Sequence, residues 1–173
     1  LVLNGDANLT GTTFTAPTTL QISANATLTG AGTITVANLT LSDLALTLAT
    51  TNLTVTNAVA FDNANEQIVT AGNDLTLTAA FTMSNGAITS SGGTITLQGA
   101  PTGGTLTFTG GTTAVNGELT TTAATLNKPT KLSLSTVATL TTNAVSLTAT
   151  DLTLNDLALT LANTNLTVTN AIT

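Results

Sequence analysis

Apolar residues alternate with Thr, Ser or Asn along most of this chain. Thr33-Ile34-Thr35-Val36, Leu39-Thr40-Leu41, Leu44-Ala45-Leu46-Thr47-Leu48 and Leu53-Thr54-Val55-Thr56 show the rhythm. Alternation with period two places Leu, Ile and Val on one face of a strand and Thr on the other. The β-branched residues Thr and Val suit a pleated surface, whereas the helix formers Glu, Lys, Arg and Gln are scarce. The pattern predicts strands throughout and no helix. Gly, Asn and Asp separate the strands, as at Asn38, Asp43, Asn52, Asn57, Gly72-Asn73-Asp74 and Asn85-Gly86. These residues tolerate positive φ and mark corners.

The inward positions keep a beat of seven: Ile34, Leu41, Leu48, Val55, and again Leu140, Leu147, Leu154, Leu161, Val168. Seven residues fit a strand of about four or five plus a short corner. A sandwich would need longer hairpin-paired strands with turns every 8–12 residues or so. The beat therefore predicts a single-domain, all-β parallel β-helix (β-solenoid) over residues 1–173, right-handed and three-faced, with about 20–23 residues per coil. At that pitch three stacking ladders can be drawn. One runs Ile34, Val55, Leu77, Leu97, Leu119. A second runs Leu41, Phe61, Met83, Leu106, Leu126. The third runs Leu28, Leu48, Ile68, Ile88, Phe108.

A near-identical repeat supports stacking. Residues 38–59 and 151–172 agree at 18 of 22 positions, 113 residues apart. Repeat units bury their apolar faces against neighbours. If both copies occupy the same faces, the offset is a whole number of turns. Fifteen or sixteen strand segments separate the copies, and only fifteen fits three faces. Residues 1–17 lack the clean beat and are expected to form an irregular first coil. Residues 62–67 (DNANEQ) are expected to bulge out, and 127–131 (NKPTK) form a second interruption. The second copy stops at Ile172-Thr173 without a polar cap. The expectation is self-association or covalent continuation of the coil through uncapped ends.

Composition narrows the function. Two Lys and no Arg stand against eight carboxylates, giving a net charge of −6. Nucleic acids and anionic membrane surfaces are bound by basic clusters, so neither is an expected partner. No apolar run approaches the length of about 20 residues that spans a bilayer, so no membrane insertion is expected. Charged residues make up 6 % of the chain and Thr about a quarter, far from ordinary soluble usage. With no His and no Cys, nucleophilic triads of the usual type and Cys/His zinc sites are excluded.

Candidate chemistry is sparse, and no cofactor or catalytic residue is assigned. Lys128 and Lys131 flank Pro129 in what reads as a solvated corner. The best oxygen cluster for calcium is Asp62, Asn63, Asn65 and Glu66. It lacks the β-roll calcium signature and reads first as a solvated loop. Asp43 and Asp156 occupy equivalent repeat positions and read as corner residues bonding their own backbone. Asn-x-Thr occurs at Asn8, Asn25, Asn38, Asn52 and Asn165, which strand-start chemistry explains without glycans.

Outward Thr-x-Thr units, such as Thr33-Ile34-Thr35 and Thr94-Ile95-Thr96, resemble the Thr ranks of ice-binding solenoids. Here they are expected to spread over all faces. The stretch Gly103-Gly104-Thr105-Leu106-Thr107-Phe108-Thr109-Gly110-Gly111 resembles the core of autotransporter passenger repeats and filamentous-haemagglutinin-type adhesins of bacterial surfaces. The resemblance implies a right-handed parallel β-helix and an extracellular or cell-surface location. It transfers no site residue. The expected function is non-enzymatic: a structural or adhesive segment of a surface fibre, stalk or adhesin, with a host or matrix surface ligand as an external partner. The alternatives are a self-assembling filament, sheath or surface-layer subunit, and an ice-binding protein.

Overall fold

The alternating pattern folds into parallel β-strands that stack coil on coil as a β-solenoid. The structure is a computed structural model. It describes residues 1–10, 18–30, 32–79, 81–101, 105–108, 112–120, 125–127, 131–134, 138–141, 146–162 and 165–173, with side chains outside 98–147. Every strand pairing among the described residues is parallel, and no helix occurs there.

Three ladders define three faces. Face one carries 33–36, 52–55, 75–77, 94–97, 112–115, 131–134 and 151–153. Face two begins with Val2–Leu3 and Thr19–Ile22, then continues through 38–40, 58–61 and Phe81–Met83. Face three carries Ala7–Asn8, Ala26–Thr29, Ala45–Leu48, Gln67–Val69, Ala87–Ser90, Thr105–Phe108 and Thr125–Asn127. Successive turns are as short as 18 residues, from Thr94 to Thr112, and as long as 22, from Leu53 to Leu75. They are thus slightly shorter than the expected 20–23.

Some strands run straight around a corner. Thr33–Thr40 and Asn52–Phe61 join face one to face two, and this merges the two faces into one hydrogen-bonded sheet. At their bend, Val36 faces Val55 and Asn38 faces Ala58. Ala37 therefore lies opposite two residues, Thr56 and Asn57. This is a bulge in a parallel pair, which bends the strand and absorbs one extra residue. Thr56 Oγ1 donates to the Val36 carbonyl at 3.3 Å, and Asn57 Nδ2 donates to Asn38 Oδ1 at 2.9 Å.

The second copy of the repeat reproduces this bend. Ala149 faces Val168 and Asp151 faces Ala171. Thr169 Oγ1 donates to the Ala149 carbonyl at 3.4 Å, and Asn170 Nδ2 to Asp151 Oδ1 at 2.7 Å. Both copies also place two consecutive residues in the left-handed region: Ser42 (φ 55°) and Asp43 (66°), then Asn155 (50°) and Asp156 (59°). This conformation, which Asn and Asp enter more readily than most residues, explains the corner aspartates.

The copies nevertheless lie on different faces. Segment 38–40 is on face two, whereas 151–153 pairs with 131–134 on face one. The 113-residue offset is not a whole number of turns, and that is why it cannot be divided evenly into three-faced coils. The ladders drawn from the sequence need a matching correction. Ile34 faces Leu53, not Val55, and Leu97 faces Val115, not Leu119. Phe61 facing Met83, Leu28 facing Leu48 and Ile68 facing Ile88 are as expected, whereas Ile68 also faces Leu46, not Leu48, Met83 faces Pro101, not Leu106, and Ile88 faces Leu106, not Phe108.

The core is a stack of these inward residues. Ile34, Leu53, Leu75 and Ile95 form one column, each at most 1 % exposed. Leu46, Ile68 and Ile88 form another, fully buried. Phe61 and Phe81 meet edge-to-face at 6.4 Å, a favoured aromatic geometry. Burying each such side chain stabilises the fold by about 1.5–3 kcal/mol.

The twin copies allow a controlled comparison. Leu48 is fully buried, while its counterpart Leu161 is 42 % exposed. Leu48→Ala is expected to cost about 2–5 kcal/mol. Leu161→Ala, in the same local sequence, is expected to cost less than about 1 kcal/mol. Urea denaturation of both variants, read with local hydrogen exchange, checks this; equal costs would contradict the burial assignment.

Candidate functional site

The loop singled out as a calcium candidate leaves face two after Phe61 and rejoins the coil at Gln67 on face three. Asp62, Asn63 and Asn65 are exposed, whereas Glu66 is buried at 5 % exposure. The cluster thus divides into a solvated rim and one inward carboxylate. With Leu39, Thr40 and Ser42, this corner lines an open cleft of about 300 Å³.

Backbone N–H groups engage both oxygens of that carboxylate. Asp62 and Asn63 donate their N–H groups to Glu66 Oε2 at 2.6 and 3.0 Å, and the Asp43 N–H reaches Glu66 Oε1 at 3.3 Å. The first two bonds close the loop on itself. The third ties it to the left-handed corner of the preceding coil. Asn63 Nδ2 donates to Asp62 Oδ1 at 2.8 Å, and the Glu66 carbonyl accepts the Ala87 N–H at 2.9 Å from the following coil. Glu66 therefore touches three successive coils. Gly86 lies against it with φ 72°, and a Cβ there would collide with the Glu66 carbonyl. Only glycine combines that conformation with that approach.

Burial, the largest influence on the Glu66 carboxyl, acts to raise its pKa. The N–H donations from Asn63, Asp62 and Asp43 act in the opposite direction and hold it below the ordinary value of 4.5. A carboxylate held this way is an anion anchored by backbone dipoles. Its oxygens accept those N–H groups, and the exposed rim of the cluster is made of Asp62, Asn63 and Asn65. Among the described residues, no three His, Cys, Asp or Glu side chains gather as a metal site.

The other positions singled out in the sequence fall elsewhere. Lys128 lies outside the described residues, and Lys131 opens the strand Lys131–Leu134 on face one. The asparagines of the Asn-x-Thr triplets largely bridge coils. Asn25 Oδ1 accepts the Ala45 N–H, Asn52 Oδ1 the Asp74 N–H, and Asn38 Oδ1 the Asn57 amide. Of the glycine-flanked stretch 103–111, Thr105–Phe108 forms a strand on face three, and 103–104 and 109–111 lie outside the described residues. Comparison with protein-family models, curated proteins and solved structures returned no match for this chain.

The link from Glu66 to Asp43 was not visible in the sequence. The residues stand 23 apart, and only the coil register brings them together. The lowered carboxyl pKa fixes the sign of its pH dependence. The folded value lies below the unfolded one. The stability it contributes is fully present above the unfolded value and is lost as pH falls through the folded one. Wild type is expected to lose stability across that acid window. Glu66→Gln is expected to be less stable at neutral pH by about 1–3 kcal/mol, with a flatter profile in acid. Chemical denaturation at a series of pH values checks both, and two parallel profiles would refute the assignment.

Proposed function

We propose that this chain is a non-enzymatic structural or adhesive segment of an extracellular or cell-surface fibre, stalk or adhesin. The observation that carries the reading is the ladder of parallel strands that runs from coil to coil through the described residues. Such a stack spreads stability along an axis through nearest-neighbour contacts. Side-chain links between coils reinforce it: Asp6 Oδ1 accepts the Thr27 N–H at 2.8 Å, and Asp74 Oδ1 the Thr94 N–H at 2.7 Å. The low charge leaves little repulsion between neighbouring chains in a packed fibre. The glycine-flanked Thr105–Phe108 segment supports the bacterial surface variant of this reading by resemblance alone. Imaging the native particle and weighing its intact chains tests the proposal. A slender particle of constant width is expected, and a globular one would refute it.

A second reading is favoured by one specific observation. Thr35, Thr54, Thr76 and Thr96 stand in register on face one as a single outward rank. A regular row of hydroxyl and methyl groups fits an ordered surface such as ice. Face three carries its own row, Thr27, Thr47 and Thr89, interrupted by Val69. If face one binds ice, the purified chain shows thermal hysteresis, and Thr54→Lys with Thr76→Lys abolishes it. Absence of hysteresis in the unmodified chain removes this reading.

A further inference from the structure

Asparagine stands directly before glycine at Asn4, Asn85 and Asn116. In such a pair the main chain can attack the asparagine side chain, because glycine brings no Cβ to cover the attacking nitrogen. The side chain of Asn116 lies outside the described residues. Asn85-Gly86 sits in the corner between Phe81–Met83 on face two and Ala87–Ser90 on face three. Asn85 is exposed there, and its Oδ1 accepts the Gly86 N–H at 3.0 Å. The side chain is thus already folded over the nitrogen that follows it.

That contact lies close to a ring closure. A succinimide ring contains Gly86 N together with Asn85 C, Cα, Cβ and Cγ. The torsions that bring Oδ1 onto the N–H also bring Cγ beside the nitrogen. Rotation about Cβ–Cγ then turns the hydrogen bond into an approach of nitrogen to carbon. Holding the reacting atoms together in this way removes much of the entropic barrier to closure. Asn25 and Asn52 are placed differently. Their Oδ1 atoms accept N–H groups of the next coil, and they precede Ala26 and Leu53.

We propose that Asn85 is a self-modification site, where the folded corner promotes deamidation through the Gly86 nitrogen. The nitrogen loses its proton to a solvent base and attacks Asn85 Cγ. The N–Cγ bond forms, the bond to the side-chain amino group breaks, and that group leaves as ammonia with a proton from solvent. Water then opens the succinimide. Opening at Cγ gives an aspartate at position 85. Opening at the main-chain carbonyl gives an isoaspartate, whose main chain runs through Cβ and Cγ. Water has replaced ammonia, and nothing is oxidised or reduced.

The two products act differently on the fold. The Ser84 and Asn85 N–H groups bond the Phe61 carbonyl at 2.9 and 3.2 Å, and the Ala87 N–H bonds the Glu66 carbonyl at 2.9 Å. Gly86 stands between these anchors with φ 72°, where a Cβ would collide with that same Glu66 carbonyl. The isoaspartate lengthens the main chain between the anchors, so one of them shifts and the Glu66 link between coils loosens. The aspartate keeps the chain length and adds only a negative charge. The chemistry depends on neither reading of the function.

The test incubates the folded 173-residue chain in warm, mildly alkaline buffer, beside a synthetic peptide of residues 82–89. Peptide mapping by mass spectrometry reads conversion at Asn85, and isoaspartyl methyltransferase reads the isoaspartate fraction. Conversion in the folded chain is expected to be at least as fast as in the peptide. A folded rate below the peptide's overturns the proposal, because the corner then blocks the attack. The fraction carrying isoaspartate at position 85, separated by chromatography, is expected to unfold at lower urea than fresh chain. Asn85→Asp is expected to match the fresh chain. Equal midpoints for the isoaspartate fraction and fresh chain overturn the loosening of the Glu66 link. The rate and this midpoint comparison are read on the parent sequence, so both stand even if Asn85→Asp folds poorly.

Discussion

The structure depends on parallel backbone pairing from each coil to the next. A parallel ladder fixes which residue stands over which, and period two then decides which side chains go inside. Because a shift of one residue would turn every Leu outward and every Thr inward, the buried face locks parity strongly. A shift of two keeps parity and costs far less. The chain therefore depends on secondary devices for register. Asn52 receiving the Asp74 N–H, Asn25 receiving the Ala45 N–H and Glu66 gripping the Asp43 N–H each link one specific residue to one specific partner. These are local, directional bonds in a molecule whose core would tolerate several alignments.

That hierarchy explains what could be read from the sequence. Fold class and the inward residues followed from alternation, since Ile34, Leu41, Leu48 and Val55 are all buried. Register did not follow, because parity alone lets Ile34 face either Leu53 or Val55. The pairing of Ile34 with Leu53 depends on how many residues each corner consumes, and corners vary in length. The rhythm break at 62–67 was legible as a loop, although its last residue, Gln67, already opens the strand Gln67–Val69. Its inward Glu66 was not, since a loop rich in Asp and Asn ordinarily faces water. Handing one carboxylate three backbone N–H groups from two coils is a product of register, which alternation cannot encode.

The corner at 36–38 shows how the solenoid adjusts its circumference. One residue below faces two above, and the sheet bends without breaking its ladder. The extra residue is held by Thr56 and Asn57, whose side chains reach down to the coil beneath. The same arrangement recurs at 149–151. Turns of unequal length thus stack in register, with the mismatch taken up at bulges, in the Glu66 loop and at corners such as the one between Leu28 and Thr33.

The change of face between the two copies has a consequence for how such a chain can grow in evolution. Nearly the same twenty-two-residue sequence works at two different azimuths around the axis, so the repeating unit is a strand with its corner. Duplication or loss events then need not span whole turns to remain foldable. Chains of this kind can change length in steps of a third of a turn, and relatives would drift out of alignment by fractions of a coil while keeping the same cross-section.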